Sequence, residues 1–343
     1  MAQFKDYLEI IVENDSLTAE EAEDALRKII SGEVSEAEVA AFLFGMRQKG
    51  ETIEELTSFV KVMREVAVKV DVDTANAVDL CGTGGDASGT FNISTAAMFV
   101  VAGAGIPVLK HGNRSISSKS GSADVLQSLG IKYDLNASAV EECFKQTGMA
   151  FMFAPLFHPA MKYVMPARKS LRIRTFFNIL GPLMNPAGVK RQVVGAYNQE
   201  TAEKCINILS NLDTEQAISV YSFDGLDEFT TTDKAYVYRY KKGGSVSATS
   251  MDAQDFGFKR ASAMELMGGD STVNAEIITN ILSSKATRAQ TDIVVLNAAF
   301  AILVSGRITE IENALQLAKD SIRSGNAFKK LKEFADCTHD LAN

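Results

Sequence analysis

Residues 77–95 read Ala-Val-Asp-Leu-Cys-Gly-Thr-Gly-Gly-Asp-Ala-Ser-Gly-Thr-Phe-Asn-Ile-Ser-Thr, and they constrain the fold more than any other stretch. The short apolar run Ala77 to Cys81 meets a loop with four glycines in eight residues, 82–89. A helix-like apolar segment then opens behind Asn92, Ser94 and Thr95. Strand, glycine loop and capped helix together present bare N–H groups to a phosphate. A second polar loop, Lys110-His-Gly-Asn-Arg-Ser115 running on to Ser122, follows one helix and one strand later. Two anion-friendly loops so close together suit a ligand with more than one phosphate.

Two familiar phosphate motifs fit less well. Gly82, Gly84 and Ala87 match the permissive spacing of a dinucleotide fingerprint. That fingerprint needs a helix opening inside the motif and an acid about 20 residues on. Here the helix waits until about Asn92, and the next strand ends in Lys110-His111. A Walker loop is excluded because no Gly-Lys-Ser/Thr follows the glycines.

The chain has 343 residues, enough for two domains or one large one. Its net charge of −8 argues against nucleic acid as the main partner. The same acidity makes the cations Lys110, Arg114 and Lys119 stand out as a local field for an anion. The apolar stretch Ala96 to Leu109 is too short to span a bilayer, and the N-terminus lacks a signal-peptide layout. Cys81, Cys143, Cys205 and Cys337 are scattered, without C-x-x-C, which points to neither disulfide framework nor zinc cluster. A reduced, cytoplasmic setting with no membrane partner is the expectation.

Residues 1–72 read as helices only. Thr18-Ala-Glu-Glu21, Ser35-Glu-Ala-Glu38 and Thr52-Ile-Glu-Glu55 are capping boxes recurring every 17 residues, which suits helices of about three turns. Phe42 with Met46, and Phe59 with Val62 and Met63, give them apolar faces. From Ala77 onward β-rich runs (77–81, 107–109, 150–153, 193–197, 217–222, 235–240) alternate with helical ones (94–104, 122–129, 138–147, 200–211). That alternation predicts an α/β domain over 73–343 with a central, mostly parallel sheet flanked by helices. The stretch after Thr272 reads helical again, and Gly268-Gly269 reads as a plain separating loop. Between them, 155–188 holds five of the six prolines, with helical spacing from Ala167 to Leu180. It predicts a helical insert, about 162–186, that crosses back to the N-terminal helices and forms a hinge.

No nucleophile with a base and no acid–base pair stands out. Three histidines (111, 158, 339) are too few and scattered for a metal cage, and His158 reads as a packed loop residue. Some group transfers need only orientation and charge stabilisation of an anionic leaving group. Asp224-Gly-Leu-Asp-Glu228 follows the strand 217–222 directly, so Asp227 and Glu228 face the ligand crevice of an α/β sheet. They can hold Mg²⁺ through oxygen, or lie as solvated surface.

Six strings then match in order: Gly82-Thr-Gly-Gly-Asp86, Thr90-Phe-Asn-Ile-Ser-Thr95, Lys110 to Ser115, Ser117-Ser-Lys-Ser-Gly-Ser122, Arg174-Thr-Phe-Phe-Asn-Ile-Leu-Gly-Pro-Leu183 and Gly225-Leu-Asp-Glu228. Over nearly its full length the chain resembles the anthranilate phosphoribosyltransferases. The resemblance implies an architecture of small helical domain plus large α/β domain, shared with nucleoside phosphorylases. It implies transfer of the phosphoribosyl group of 5-phosphoribosyl 1-pyrophosphate to anthranilate, a step of tryptophan biosynthesis. It places the donor on Gly82, Gly85, Asp86, Thr90, Asn92, Ile93, Ser94, Thr95, Lys110, His111, Gly112, Asn113, Arg114, Ser115, Ile116, Ser117, Ser118 and Ser122. Gly82, Asn113 and Arg168 would hold anthranilate, while Ser94, Asp227 and Glu228 would hold Mg²⁺, with two ions per chain. A homodimer through the N-terminal helices is implied as well. The pyrimidine nucleoside phosphorylase string Lys-x-Ser-Thr-Gly-Gly-x-Gly-Asp is absent, and a nucleic-acid-binding relative would be basic. Two residues depart from the family pattern: Ala87 and Arg172 stand where glycine is usual.

Overall fold

In the computed structural model every residue is described except Met1, Ala87, Ile116, Ser117, Ser118 and Asn343. The chain opens with α1 (Phe4–Val12), α2 (Ala19–Ser31), α3 (Glu36–Lys49) and α4 (Ile53–Val66). The last three start at the three capping boxes, with Thr18, Ser35 and Thr52 each accepting the N–H of the glutamate three residues on. Glu55 is used twice over. Fully buried, it accepts the N–H groups of Thr52 and Leu17 at 2.8 and 2.9 Å and pairs with Lys49 at 3.0 Å. A local cap thereby also ties α3 and the α1–α2 loop to α4.

The second part alternates β1 (Asp79–Gly82), α5 (Ile93–Gly103), β2 (Val108–Gly112), α6 (Ser122–Ser128), α7 (Ala137–Thr147) and β3 (Met149–Phe153). A crossing segment follows, with α8 (Ala154–Phe157), a 3-10 turn at Pro159–Tyr163, α9 (Met165–Leu171) and α10 (Phe177–Leu180). The chain then continues through β4 (Arg191–Gly195), α11 (Gln199–Ser210), β5 (Gln216–Ser222), β6 (Lys234–Lys241) and β7 (Ser247–Asp252). It closes with α12 (Ser271–Leu282), α13 (Arg288–Val304), α14 (Ile311–Arg323) and α15 (Asn326–Leu341).

Five strands run β1-β4-β5-β6-β7, and the pair β2-β3 joins them through the parallel bridge Val78–Val108. The spatial order is thus β3-β2-β1-β4-β5-β6-β7, parallel from β3 to β5 and antiparallel at the β6 and β7 edge. After β1 the chain winds towards β2 and β3; after β4 it winds the other way. The reversal lies between β1 and β4, and ligands bind outside strand C-termini at such a switch point. Gly82 and Gly195 end those two strands.

The apolar core divides in the same way. α5, buried on nearly every side, lies in the larger cluster with α13, α15 and the sheet. The smaller cluster joins α1–α4 to Val164, Ala167, Phe176 and Leu180 of the crossing segment and to α11. Phe176 is the keystone, stacked on Phe59 with centroids 4.6 Å apart and edge-on to Phe42 at 6.3 Å.

Three local features differ from the sequence reading. The helical spacing of 167–180 is not one helix: Arg172 adopts φ +53°, which ends α9. β7, too polar to read as a strand, pairs with β6 at the sheet edge, where one face meets water. Asn92 precedes α5 but does not cap it; its amide instead donates to Ser120 O at 3.2 Å and accepts from Asn274 Nδ2 at 2.9 Å.

Candidate functional site

The glycine loop is shaped by what must approach it. A Cβ on Gly82 would lie 2.3 Å from Asp227 Oδ2, and one on Gly195 1.5 Å from the Asp227 carbonyl oxygen. No real Cβ tolerates either distance, so two strand-ending glycines admit the 224–228 turn between β1 and β4. Gly195 carried no sequence signal, since it reads as an ordinary strand residue. Gly84 and Gly85 follow at φ +68° and +76°, the left-handed region that favours glycine. The Gly84 N–H donates to Asp227 Oδ2 at 2.7 Å and the Ser94 N–H to Glu228 Oε1 at 3.2 Å. The two carboxylates predicted from sequence therefore reach the start of the glycine loop and the first turn of α5.

Lys110 rises from β2 between them. Only 1% exposed, its Nζ donates to Leu80 O and to Ser94 Oγ, the latter at 3.4 Å. Beneath it Asp79, wholly buried, accepts from His111 N at 3.2 Å and Asn185 Nδ2 at 2.7 Å. Burial pushes the Asp79 carboxyl up; Lys110 and these donors offset part of that cost. Burial also raises Asp227 and Glu228. Repulsion from Asp86 adds to the first and repulsion from Asp227 to the second, with Lys110 opposing both. A buried and a half-buried carboxylate that repel each other are hard oxygen donors short of positive charge, which suits a small divalent cation. Among the described residues no group of three or more His, Cys, Asp or Glu side chains could close a protein cage around a metal. The remaining ligands of such an ion would come from substrate and water.

The far side of the loop is held by a segment that had read as a separator. Gly268 N donates to Gly89 O at 2.9 Å, Phe91 N to Leu266 O at 3.3 Å, and Thr90 bridges Met267. Asp86 Oδ2 accepts Ser88 Oγ at 2.6 Å, and that hydroxyl lies 3.2 Å from Thr90 Oγ1. Ile93 and Thr95 are buried to 1% and 0% exposure, so their side chains belong to the packed base of α5 and leave only backbone groups to meet a ligand there. Ala87 falls outside the described residues.

In the second loop Gly112 ends β2 against the Phe151 ring. Asp124 draws the loop closed by accepting Ser115 N at 3.2 Å and Gly121 N at 2.9 Å, and pairs with Arg114 at 3.3 Å. Arg114 also donates to Gln127 at 3.2 Å and to the Tyr133 hydroxyl. The Asn113 carbonyl accepts Ala123 N at 3.2 Å, and Ser122 opens α6. Ile116, Ser117 and Ser118 lie outside the described residues.

His111 and His158, read as scattered, meet edge-on with ring centroids 5.1 Å apart. No linear signal connects a β2 residue with one in the crossing segment. Burial lowers them to about 3 and about 4 respectively, so both rings are neutral near pH 7. Arg168, on α9, sits over the Phe177 ring at 5.6 Å. No carboxylate among the described residues lies within ion-pair distance of it.

Comparison with known proteins adds independent findings. Residues 74–328 match the family model described as glycosyl transferase family, a/b domain, and residues 5–67 the helical bundle domain of the same family. The anthranilate phosphoribosyltransferase of Salinibacter ruber is 46% identical over 331 residues, covering 96% of each chain. That of Persephonella marina is 43% identical over 335 residues, covering 96% of this chain and 98% of the relative. Among solved structures, the Thermus thermophilus anthranilate phosphoribosyltransferase superposes with a TM-score of 0.91 at 33% identity, covering 97% of this chain and 99% of that one. The Saccharomyces cerevisiae enzyme, solved in complex with PRPP and Mg, gives 0.89 at 26% identity, with 98% of both chains covered.

Proposed function

The chain belongs to the anthranilate phosphoribosyltransferase family, and on that footing we propose that it transfers the phosphoribosyl group of phosphoribosyl pyrophosphate to the amine of anthranilate. The anthranilate nitrogen forms a bond to ribose C1, the C1–oxygen bond breaks, and its electron pair leaves with pyrophosphate. The amine proton passes to solvent. Products are N-(5-phosphoribosyl)anthranilate and pyrophosphate, in tryptophan biosynthesis.

The observation that carries this reading is the convergence of Asp227 and Glu228 on the N–H groups of Gly84 and Ser94 at a sheet switch point. We assign the donor's phosphates to the glycine loop, to the first turn of α5 and to the loop 110–122. Lys110 supplies fixed positive charge from below, and the loop N–H groups meet negative charge that grows as the bond breaks. Asp227, Glu228 and Ser94 would hold Mg²⁺, two ions per chain in our reading. When bound, the cation neutralises charge on the leaving pyrophosphate. An aromatic amine attacking an oxocarbenium-like ribose needs no strong base, in keeping with the burial that makes His111 and His158 weak bases. We assign Arg168, with Gly82 and Asn113, to the anthranilate carboxylate, which a planar guanidinium matches as a two-point fork. The crossing segment 162–186 would then act as a hinge linking acceptor binding to closure.

The protein is proposed to work as a homodimer through its N-terminal helices, whose surface exposes Phe44 and Val12 at 54% and 79%. No helix among the described residues is long and apolar enough to cross a membrane; the cysteines carry no disulfide, and we place the enzyme in the cytoplasm.

Calorimetric titration of phosphoribosyl pyrophosphate with and without Mg²⁺ tests the site directly. Donor binding should weaken at least tenfold without Mg²⁺, and Asp227→Asn with Glu228→Gln should abolish the difference. Mg²⁺-dependent binding that survives the double change would remove these residues from the metal site.

A further inference from the structure

Resting on that reading of the glycine loop, we propose that Arg174 is a positioning residue that aims the Asp86 N–H at the donor's phosphates and ties the crossing segment to the loop. Arg174 lies outside the groups assigned above to donor, acceptor or metal. Its Nη2 donates to Gly85 O at 2.6 Å, and its guanidinium lies 4.0 Å from the centroid of the Tyr197 ring. Tyr197 is itself fixed to the loop, because its N–H donates to Thr83 Oγ1 at 3.3 Å while Thr83 N donates to Gly195 O at 2.9 Å. Arg174, Tyr197, Thr83 and Gly85 form a closed mesh on one side of the loop.

Peptide planarity gives the mesh its consequence. In a trans peptide the carbonyl oxygen and the following N–H point in opposite directions. Holding Gly85 O towards Arg174 therefore turns the Asp86 N–H away from Arg174. That N–H has no partner among the described residues and remains available to an oxyanion. The fixing matters because Gly84 and Gly85, both at positive φ, sit where glycine offers the backbone many alternatives. On its other side Arg174 is two residues from Phe176, which is locked into the helical core against Phe59. One side chain thus transmits the position of the helical part to the donor loop. Six residues earlier on the same segment stands Arg168, the acceptor's proposed partner.

The test uses the full-length protein with Mg²⁺ and phosphoribosyl pyrophosphate, and reads the donor dissociation constant, kcat and thermal midpoint. Arg174→Gln should weaken the donor about tenfold, the loss of one charge-assisted hydrogen bond, with the midpoint within about 2 °C of the parent. Arg174→Lys, which keeps charge and a donor, should recover more than half of the lost affinity on a logarithmic scale. Tyr197→Leu removes the platform and leaves every cation in place; it should weaken the donor about threefold. Donor affinity within twofold of the parent in Arg174→Gln would overturn the proposal. So would an unchanged affinity in Tyr197→Leu, which would assign the effect to charge alone. Failure of the parent to bind the donor would instead refute the underlying reading of the loop, and the proposal with it.

Discussion

Arg172 shows how much a single backbone angle can explain. Its φ of +53° places a side-chain-bearing residue where only glycine is free of strain, at a cost of about 1–2 kcal/mol. The sequence had marked Arg172 as a departure from the family's usual glycine, and the angle supplies the reason for that glycine. Arg172→Gly should raise stability by about 0.5 kcal/mol once the added freedom of the unfolded chain is subtracted. Chemical denaturation measures this, and a loss of stability would mean that Arg172 is held by contacts worth more than its strain. The His111–His158 pair makes stability depend on pH. Both pKa values are lowered in the folded state, to about 3 and about 4, so the unfolded chain binds more protons. Their contribution is complete above pH 6.5 and is lost as pH falls towards 4, by about 1.4 kcal/mol per unit for each ring. Between pH 7 and 5 the parent should lose stability that His158→Gln retains, by about 2 kcal/mol. Equal pH slopes for the two proteins would contradict the burial argument.

At the scale of elements, what was legible in sequence is what is local. The capping boxes at Thr18, Ser35 and Thr52 fix the starts of α2–α4 because hydroxyl and glutamate are three residues apart on one chain. The glycine loop and the 227–228 pair were legible because each carries its chemistry within a few residues. Gly195, the Met267–Asn274 clamp and the histidine pair were not. Each acts only through partners about 30 to 180 positions away, and nothing in the linear pattern pairs them. β7 was missed because an edge strand with one wet face shows little apolar alternation. The crossing segment belongs to this scale too, since Phe176 fixes it among α3 and α4. Phe176→Ala should cost about 3–5 kcal/mol and weaken donor and acceptor together, through release of Arg174 and Arg168. Thermal unfolding combined with the two dissociation constants checks this; loss of stability with both affinities intact would separate the segment's packing from its role at the site.

At the scale of the whole molecule, one crossing segment packs against the N-terminal helices and reaches the glycine loop at the end of β1. The sheet with its glycine-ended strands offers fixed N–H groups and a buried lysine. The helical part, through one crossing segment, brings Arg174 to the glycine loop, and Arg168 stands six residues earlier on that segment. If the proposed homodimer forms over the helical surface that exposes Phe44 and Val12, Phe44→Glu should convert a two-chain particle to a single chain in sedimentation equilibrium. A parent that already sediments as one chain would contradict the dimer. The transfer reaction is read most directly by mixing the protein with Mg²⁺, anthranilate and phosphoribosyl pyrophosphate and following anthranilate loss beside pyrophosphate release. The two should progress equally, one to one, and the Asp227→Asn, Glu228→Gln double change should abolish both. Intact donor binding with no anthranilate consumed, or pyrophosphate released without loss of anthranilate, would contradict it.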